Sequence, residues 1–201
     1  MSNIPHVTGV ILAGGASSRF GKNKALASFN SLPLIQHVAR PLEKLFPERL
    51  LITNTPESYK FLGWPMAGDI YPACGPLGGI HAALHTINTP KAFIVGCDMP
   101  LLNTVLISYL CNLSGDWDVT LPWLEDGPEP LYGVYSRDCL PSIGQSLQQK
   151  QFKIGLLLRK LRLQKVNQDE ILDLIGDIST FHNINFNDDL LFLKKKAANN
   201  G

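Results

Sequence analysis

The sequence predicts an α/β fold, a mostly parallel sheet with helices on both faces, and three observations carry that prediction. Short apolar runs of strand length alternate with stretches of helix length along the chain. The first run, Val7–Leu12, contains the Val and Ile that favour a buried strand. Leu12, Asn54 and Asp98 each stand where such a run gives way to a loop. A sheet of this Rossmann-like kind binds ligands outside the carboxyl ends of its strands.

The elements follow in order. Val7–Leu12 is the first strand. Leu34, Ile35, Val38, Leu42 and Leu45 mark one face of a helix that Pro33 opens. Leu50–Thr53 is the second strand. A helix from Gly78 to Ile87 leads into a third, buried strand, Ala92–Val95. Asn103 to Cys111 is helical, with Asn103 or Thr104 as its cap. Val119–Leu121 and Leu131–Tyr135 are strands on either side of the turn Glu125-Asp126-Gly127-Pro128. Leu140–Leu147 and Ile154–Leu161 are helices, Leu163–Val166 is a late strand, and Asp188–Ala197 is the last helix. No repeat or low-complexity linker interrupts the pattern.

Composition bounds the function classes. The 201 residues suffice for one domain, and 45% hydrophobic residues supply a sizeable core. Net charge is +1, and outside Lys194-Lys195-Lys196, read as a solvated helix end, no basic stripe is present. That argues against nucleic-acid binding. Cys74, Cys97, Cys111 and Cys139 form no C-x-x-C pair and read as thiols of a reducing compartment. No run approaches 18 apolar residues and no secretory signal opens the chain, so no membrane association and a cytoplasmic location are expected.

The stretch from Gly9 to Lys24 is the most informative. The first strand runs into Leu12-Ala13-Gly14-Gly15, and Arg19, Gly21, Lys22 and Lys24 follow. Glycines let backbone N–H groups approach a ligand, and cations beside them suit a polyphosphate. The G-x-x-x-x-G-K-[ST] phosphate loop is excluded. Gly15 and Gly21 enclose five residues rather than four, and Asn23 stands where Ser or Thr is required. G-x-G-x-x-G is absent as well. Either Lys22 or Lys24 satisfies the chemistry of a phosphate contact.

The spacing L-A-G-G-x-x-x-R-x-G-x-x-K is similar to the signature of the nucleotidyltransferases of the molybdenum cofactor guanylyltransferase (MobA) family. Further stretches resemble that family in the right order. Gly68-Asp69 followed by Gly75-Pro76-Leu77-Gly78-Gly79 looks like its second nucleotide loop. Gly96-Cys97-Asp98-Met99-Pro100 resembles its metal-binding aspartate motif, and Pro130-Leu131-Tyr132-Gly133-Val134-Tyr135 its acceptor-side strand. Phe181-His182-Asn183-Ile184-Asn185 with Asp188-Asp189-Leu190 resembles its closing Asn-x-Asn motif. Between Ser136 and Thr180 only amphipathic pattern remains.

The resemblance implies transfer of GMP from GTP to molybdenum-molybdopterin, giving the guanine dinucleotide cofactor and pyrophosphate. Such transfer is a matter of positioning and charge neutralisation. Asp98, a hard carboxylate just past a strand, suits Mg²⁺ or Mn²⁺, although an Asp there also caps helices. Arg19 and Lys24 are assigned to the triphosphate and the departing pyrophosphate; family spacing selects Lys24 over Lys22. Leu12, Ala13, Gly14, Gly15, Lys24, Asn54, Asp69, Gly78, Gly79 and Asp98 are expected to line the nucleotide. Asp69 suits guanine N1 and N2 or a ribose hydroxyl. Pro130, Leu131, Asn183 and Asn185 are expected to face the acceptor. The single domain then divides into a nucleotide half, about residues 1–100, and an acceptor half, about 101–201. Transient protein partners in cofactor delivery are compatible with this reading.

The remaining residues carry less. His81 and His85 lie at i, i+4, but without the Glu of the metalloprotease motif they read as a histidine pair rather than a zinc site. Trp64, Trp117 and Trp123 read as core or rim aromatics, and Ser17 and Ser18 lack a base partner for covalent catalysis. Cytidylyl transfer to the same acceptor is the alternative enzyme, since one glycine separates Leu-Ala-Gly-Gly from Leu-Ala-Ala-Gly. Nucleotidyl transfer to a sugar or polyol phosphate comes third. A nucleotide-binding module without chemistry is the alternative of another class.

Overall fold

The structure, a computed structural model, describes residues 3–14 and 23–184. Ten strands and six α-helices are formed among the described residues. The strands are β1 (Val7–Leu12), β2 (Ser28–Phe29), β3 (Leu32–Pro33), β4 (Arg49–Ile52), β5 (Met66–Ala67), β6 (Lys91–Gly96), β7 (Val119–Leu124), β8 (Gly127–Pro128), β9 (Tyr132–Ser136) and β10 (Leu163–Asn167). The helices are α1 (Leu34–Leu45), α2 (Gly75–Thr86), α3 (Thr104–Asn112), α4 (Leu140–Gln148), α5 (Ile154–Leu158) and α6 (Gln168–Ile175).

One eight-stranded sheet runs in the order β10-β7-β9-β6-β1-β4-β5, with β8 beside β7. Its β1–β4, β1–β6, β4–β5 and β7–β10 pairs are parallel, and β9 runs against both β6 and β7. The expected mostly parallel sheet is therefore present. From β1 the chain builds outward to β4 and β5, then crosses back to β6 on the other side of β1. That reversal opens a crevice at the carboxyl ends of β1 and β6, where Leu12 is in register with Gly96.

Both faces of β1 are covered, so all six of its residues are buried. Ile11, Leu51, Phe93 and Val95 pack under α1, α3 and α6. Val10, Leu12, Ile52 and Ile94 pack under α2, α4 and α5. Gly9 is a packing glycine, because a Cβ there would lie 2.6 Å from Phe46 Cδ2. The Phe46 ring in turn stacks on Phe93, at 5.9 Å between centroids. α3 starts as expected, the Asn103 side chain accepting from the Val105 and Leu106 N–H groups.

Several expectations shift. β4 and β9 each lie one residue from the predicted bounds, and the helix predicted to Leu161 stops at Leu158. There the chain turns so that Arg162 can reach Asp116 and Asp118. β7 runs on to Leu124 and turns back through Glu125 and Asp126. α6 was not anticipated, although Ile171 and Ile175 share a face and Gly176, at φ +79°, ends it. The β2–β3 hairpin escaped notice too; Asn30 and Ser31 make its turn with φ of 45° and 68°. The predicted helix Asp188–Ala197 lies outside the described residues.

α2 starts earlier than expected. It begins at Gly75, with Pro76 in its first turn, one turn earlier than predicted. Gly78 and Gly79 are thus buried within the first turns of the helix. Packing accounts for both. A Cβ on Gly78 would lie 2.8 Å from the Tyr71 carbonyl oxygen, and one on Gly79 would lie 3.3 Å from Leu12 Cδ1.

Candidate active site

Four strand ends converge on the crevice, tied together by the main chain. The Ala13 N–H donates to the Ile52 carbonyl at 2.9 Å, and Cys97 N–H to the Leu12 carbonyl at 3.2 Å. Thr53 N–H donates to the Ala67 carbonyl at 2.8 Å. This sets Gly14 after β1, Asn54 after β4, Asp69 after β5 and Asp98 after β6 along one crest.

On the β4–β5 side, Asn54 and Asp69 bond twice. Asn54 Nδ2 donates to Asp69 Oδ2 at 2.9 Å, and the Asp69 N–H donates to Asn54 Oδ1 at 2.9 Å. The amide is used on both ends and fixes the carboxylate. Gly14 faces it closely, since a Cβ at Gly14 would stand 3.8 Å from Asp69 Oδ2. Gly14, Asn54 and Asp69 therefore form one cluster.

On the β6 side, Asp98 is half-buried and lies close to Gly96: a Cβ there would meet Asp98 Oδ1 at 2.6 Å. A side chain at Gly96 would have to displace the Asp98 carboxylate. Sequence reasoning did not single out Gly96; its place two residues before an aspartate was the available signal. Burial pushes the Asp98 carboxyl above its ordinary pKa, and its backbone hydrogen bond and the Lys24 charge oppose the rise. Lys24 acts on Cys97 too, whose thiol burial pushes up to about 12. Lys24, half-buried at the start of a 3₁₀ turn, thus shares this corner with Asp98.

The residues expected at the acceptor come from the second half of the chain. Leu131 joins the crest through its carbonyl, which accepts the Gly96 N–H at 3.2 Å. Pro130 holds the turn before β9, its carbonyl accepting the Tyr135 hydroxyl at 2.7 Å. The C-terminal segment returns to the same corner. The Ile184 N–H donates to the Asp98 carbonyl at 2.9 Å, and Ile184 packs with Phe29 and Leu34. Thr180 Oγ1 accepts the Asn103 N–H at 3.1 Å and donates to the Tyr132 hydroxyl at 3.2 Å. Asn183, exposed, therefore sits next to the residue bonded to Asp98. The Ile184 main chain was not foreseen as part of this corner.

Gly15, Arg19, Lys22 and Asn185 lie outside the described residues, as do Ser17, Ser18 and the Asp188-Asp189 pair. His81 is buried with its ring edge-on to Tyr71, 4.9 Å between centroids, and Nδ1 has no partner among the described residues. It stacks on His85 at 6.1 Å. No group of three metal-ligating side chains exists among the described residues. No helix among them is long and apolar enough to cross a membrane.

Residues 9–166 match the MobA-like NTP transferase domain family. A molybdenum cofactor guanylyltransferase of Desulfosudis oleivorans is 36% identical over 188 residues, covering 92% of each chain. A Clostridium perfringens (strain 13) protein named "Probable molybdenum cofactor guanylyltransferase" is 33% identical over 189 residues, 92% of this chain and 95% of its own. The crystal structure of molybdopterin-guanine dinucleotide biosynthesis protein A from Archaeoglobus fulgidus superposes with a TM-score of 0.81 at 20% identity. It covers 96% of this chain and 100% of that one, which establishes the fold. With the motifs, the crevice and the family match in agreement, this chain belongs to the MobA-like NTP transferase family and is a nucleotidyltransferase of molybdenum cofactor biosynthesis.

Proposed function

We propose that the protein transfers GMP from GTP to molybdenum-molybdopterin, yielding the guanine dinucleotide cofactor and pyrophosphate. The observation that carries this reading is the crevice with two unlike sides. The fixed Asn54–Asp69 pair lies on one side, and Asp98 with Lys24 and the returning C-terminal segment lies on the other. The acceptor's terminal phosphate attacks the α-phosphorus in line. A new P–O bond forms as the α–β bridging bond breaks, and pyrophosphate leaves with that electron pair.

Lys24 neutralises phosphate charge as a compact cation, and Arg19 is assigned the same work from its place in the sequence. Asp69 offers guanine N1 and N2, or a ribose hydroxyl, a carboxylate already oriented by Asn54. Leu12, Ala13 and Gly14 supply backbone at the phosphates, and Gly15 is assigned the same work from its place in the sequence. Pro130, Leu131 and Asn183 are assigned to the acceptor side, and Asn185 is assigned there from its place in the sequence, which divides the work between a nucleotide half, about 1–100, and an acceptor half, about 101–201.

The donor set fits a hard divalent ion, Mg²⁺ or Mn²⁺. Asp98 is a single, partly desolvated carboxylate, and Mg²⁺ is commonly held by one or two carboxylates together with substrate phosphates. A bound ion would supply charge neutralisation of those phosphates. All four cysteines are free thiols, which agrees with a cytoplasmic protein, and transient partners would receive or deliver the cofactor. The test is pyrophosphate release with each nucleotide in the presence of the acceptor, alongside calorimetric titration with Mg²⁺. GTP is expected to bind more tightly and to be consumed. Equal or tighter CTP binding moves the protein to cytidylyl transfer, and GTP binding without turnover makes it a binding module.

A further inference from the structure

Asn23 stands one residue before Lys24 and holds two things at once. Its Oδ1 accepts the Ala25 N–H at 3.2 Å, capping the 3₁₀ turn Lys24–Leu26. Its amide also grips Tyr59: Nδ2 donates to the phenol oxygen at 2.8 Å, and the phenol donates to Oδ1 at 3.1 Å. Tyr59 is only 1% exposed and belongs to the 3₁₀ segment Pro56–Leu62 that follows Asn54. Burial raises the Tyr59 pKa, the Asn23 bond opposes the rise, and Cys97 lies close enough to add to it. Tyr59 belongs to the core cluster against which Cys97, the residue after β6, packs.

A three-residue turn has too few hydrogen bonds to hold its own place, and a lysine stem carries considerable rotamer entropy. A clamp on developing phosphate charge works only when its charge is positioned in advance. Tying the turn to a buried phenol by both ends of one amide supplies that positioning. We propose that Asn23 and Tyr59 form a latch that seats Lys24 beside Asp98, so that both are positioning residues for the phosphate-contacting lysine. The proposal rests on the reading above that Lys24 contacts the triphosphate.

The test is a double-mutant cycle measured as kcat/KM for GTP, with Tm recorded for every variant. Tyr59→Phe removes one oxygen and keeps the ring, and Asn23→Ala acts from the exposed end without disturbing the core. Each is expected to lose about tenfold in the native background and less than about twofold in the Lys24→Ala background, because the lysine they position is gone. Asn23→Asp keeps the oxygen used by Ala25 and Tyr59 and is expected to stay within about threefold of the native enzyme. Equal losses in both backgrounds would overturn the latch, since they mean that Tyr59 acts through general packing. Native turnover in both Tyr59→Phe and Asn23→Ala would also overturn it. A native protein that consumes no GTP defeats the nucleotide reading itself, an outcome separate from an active native enzyme with indifferent variants.

Discussion

At Asp98, burial works against the metal-holding role proposed for it. It is pushed toward its neutral form by burial, yet it is assigned to hold a cation and must be ionised to do so. Asp98→Asn is expected to lower turnover at least about a hundredfold, about 2.7 kcal/mol of barrier. Near-native kcat at ordinary magnesium would remove Asp98 from the metal site. The same substitution is expected to raise Tm at neutral pH. A carboxyl with a raised folded-state pKa binds more protons folded than unfolded, so its contribution to stability falls as pH rises through that window. Thermal melts of both proteins across pH 4–8 check this, and the Asp98→Asn curve should be the flatter one.

Lys24 and Lys22 present a choice that charge alone does not make. Lys24 lies near Asp98 and Cys97. Lys24→Ala is therefore expected to cost about 1.5–3 kcal/mol in kcat/KM, the usual scale for a charge-assisted contact, and Lys22→Ala less. The opposite ranking in steady-state kinetics would mean that the loop is misregistered.

At the scale of elements, α2 explains glycines that look like ligand-binding residues in a sequence. Gly78 lets the Tyr71 carbonyl cross the helix, and Gly79 lets the helix settle on Leu12. Gly78→Ala forces a Cβ against backbone at 2.8 Å, so the segment carrying Asp69 and Tyr71 must move. Overpacking of this kind costs about 1–3 kcal/mol, and a lower Tm with weaker GTP binding is expected from melts and calorimetry. Unchanged GTP affinity would show that the 69–74 segment and the nucleotide side are independent. In the other direction, the predicted β1, α1 and α3 were legible because each rests on local signals. These are a continuous apolar run, an i, i+3, i+4 face after Pro33, and an Asn cap at Asn103. α6 had the same kind of signal and was overlooked.

Across the whole molecule, the C-terminal return ties the start of α3 and β9 to the Asp98 corner. Thr180 is held by Asn103 and Tyr132, and Ile184 by Asp98. Asn183→Ala is expected to raise the acceptor KM, by about 0.5–1.5 kcal/mol, while GTP affinity stays nearly constant. Thr180→Val leaves the Asn103 N–H and the Tyr132 hydroxyl each short of a partner and should act in the same direction, with lower Tm. The measurements are GTP titration and turnover against acceptor concentration. Loss of GTP binding at constant acceptor KM would reverse the division of the cleft.

The class of fold, the strand ends near Leu12, Asn54 and Asp98, and the order of the motifs are all legible in the chain. Periodicity and glycine placement are local properties, and each depends on a few neighbouring residues. The tertiary structure alone decided the rest. The crossing back from β5 to β6, the reversed β9, the Asn54–Asp69 pair, the Asn23–Tyr59 bonds and the contact of Ile184 with Asp98 join residues far apart in the chain. No local pattern encodes such meetings, because they arise where separate elements share one sheet and one core. Gly78 and Gly79 illustrate the boundary. The glycines were plain to read, but their reason was the carbonyl and the leucine that packing places against them.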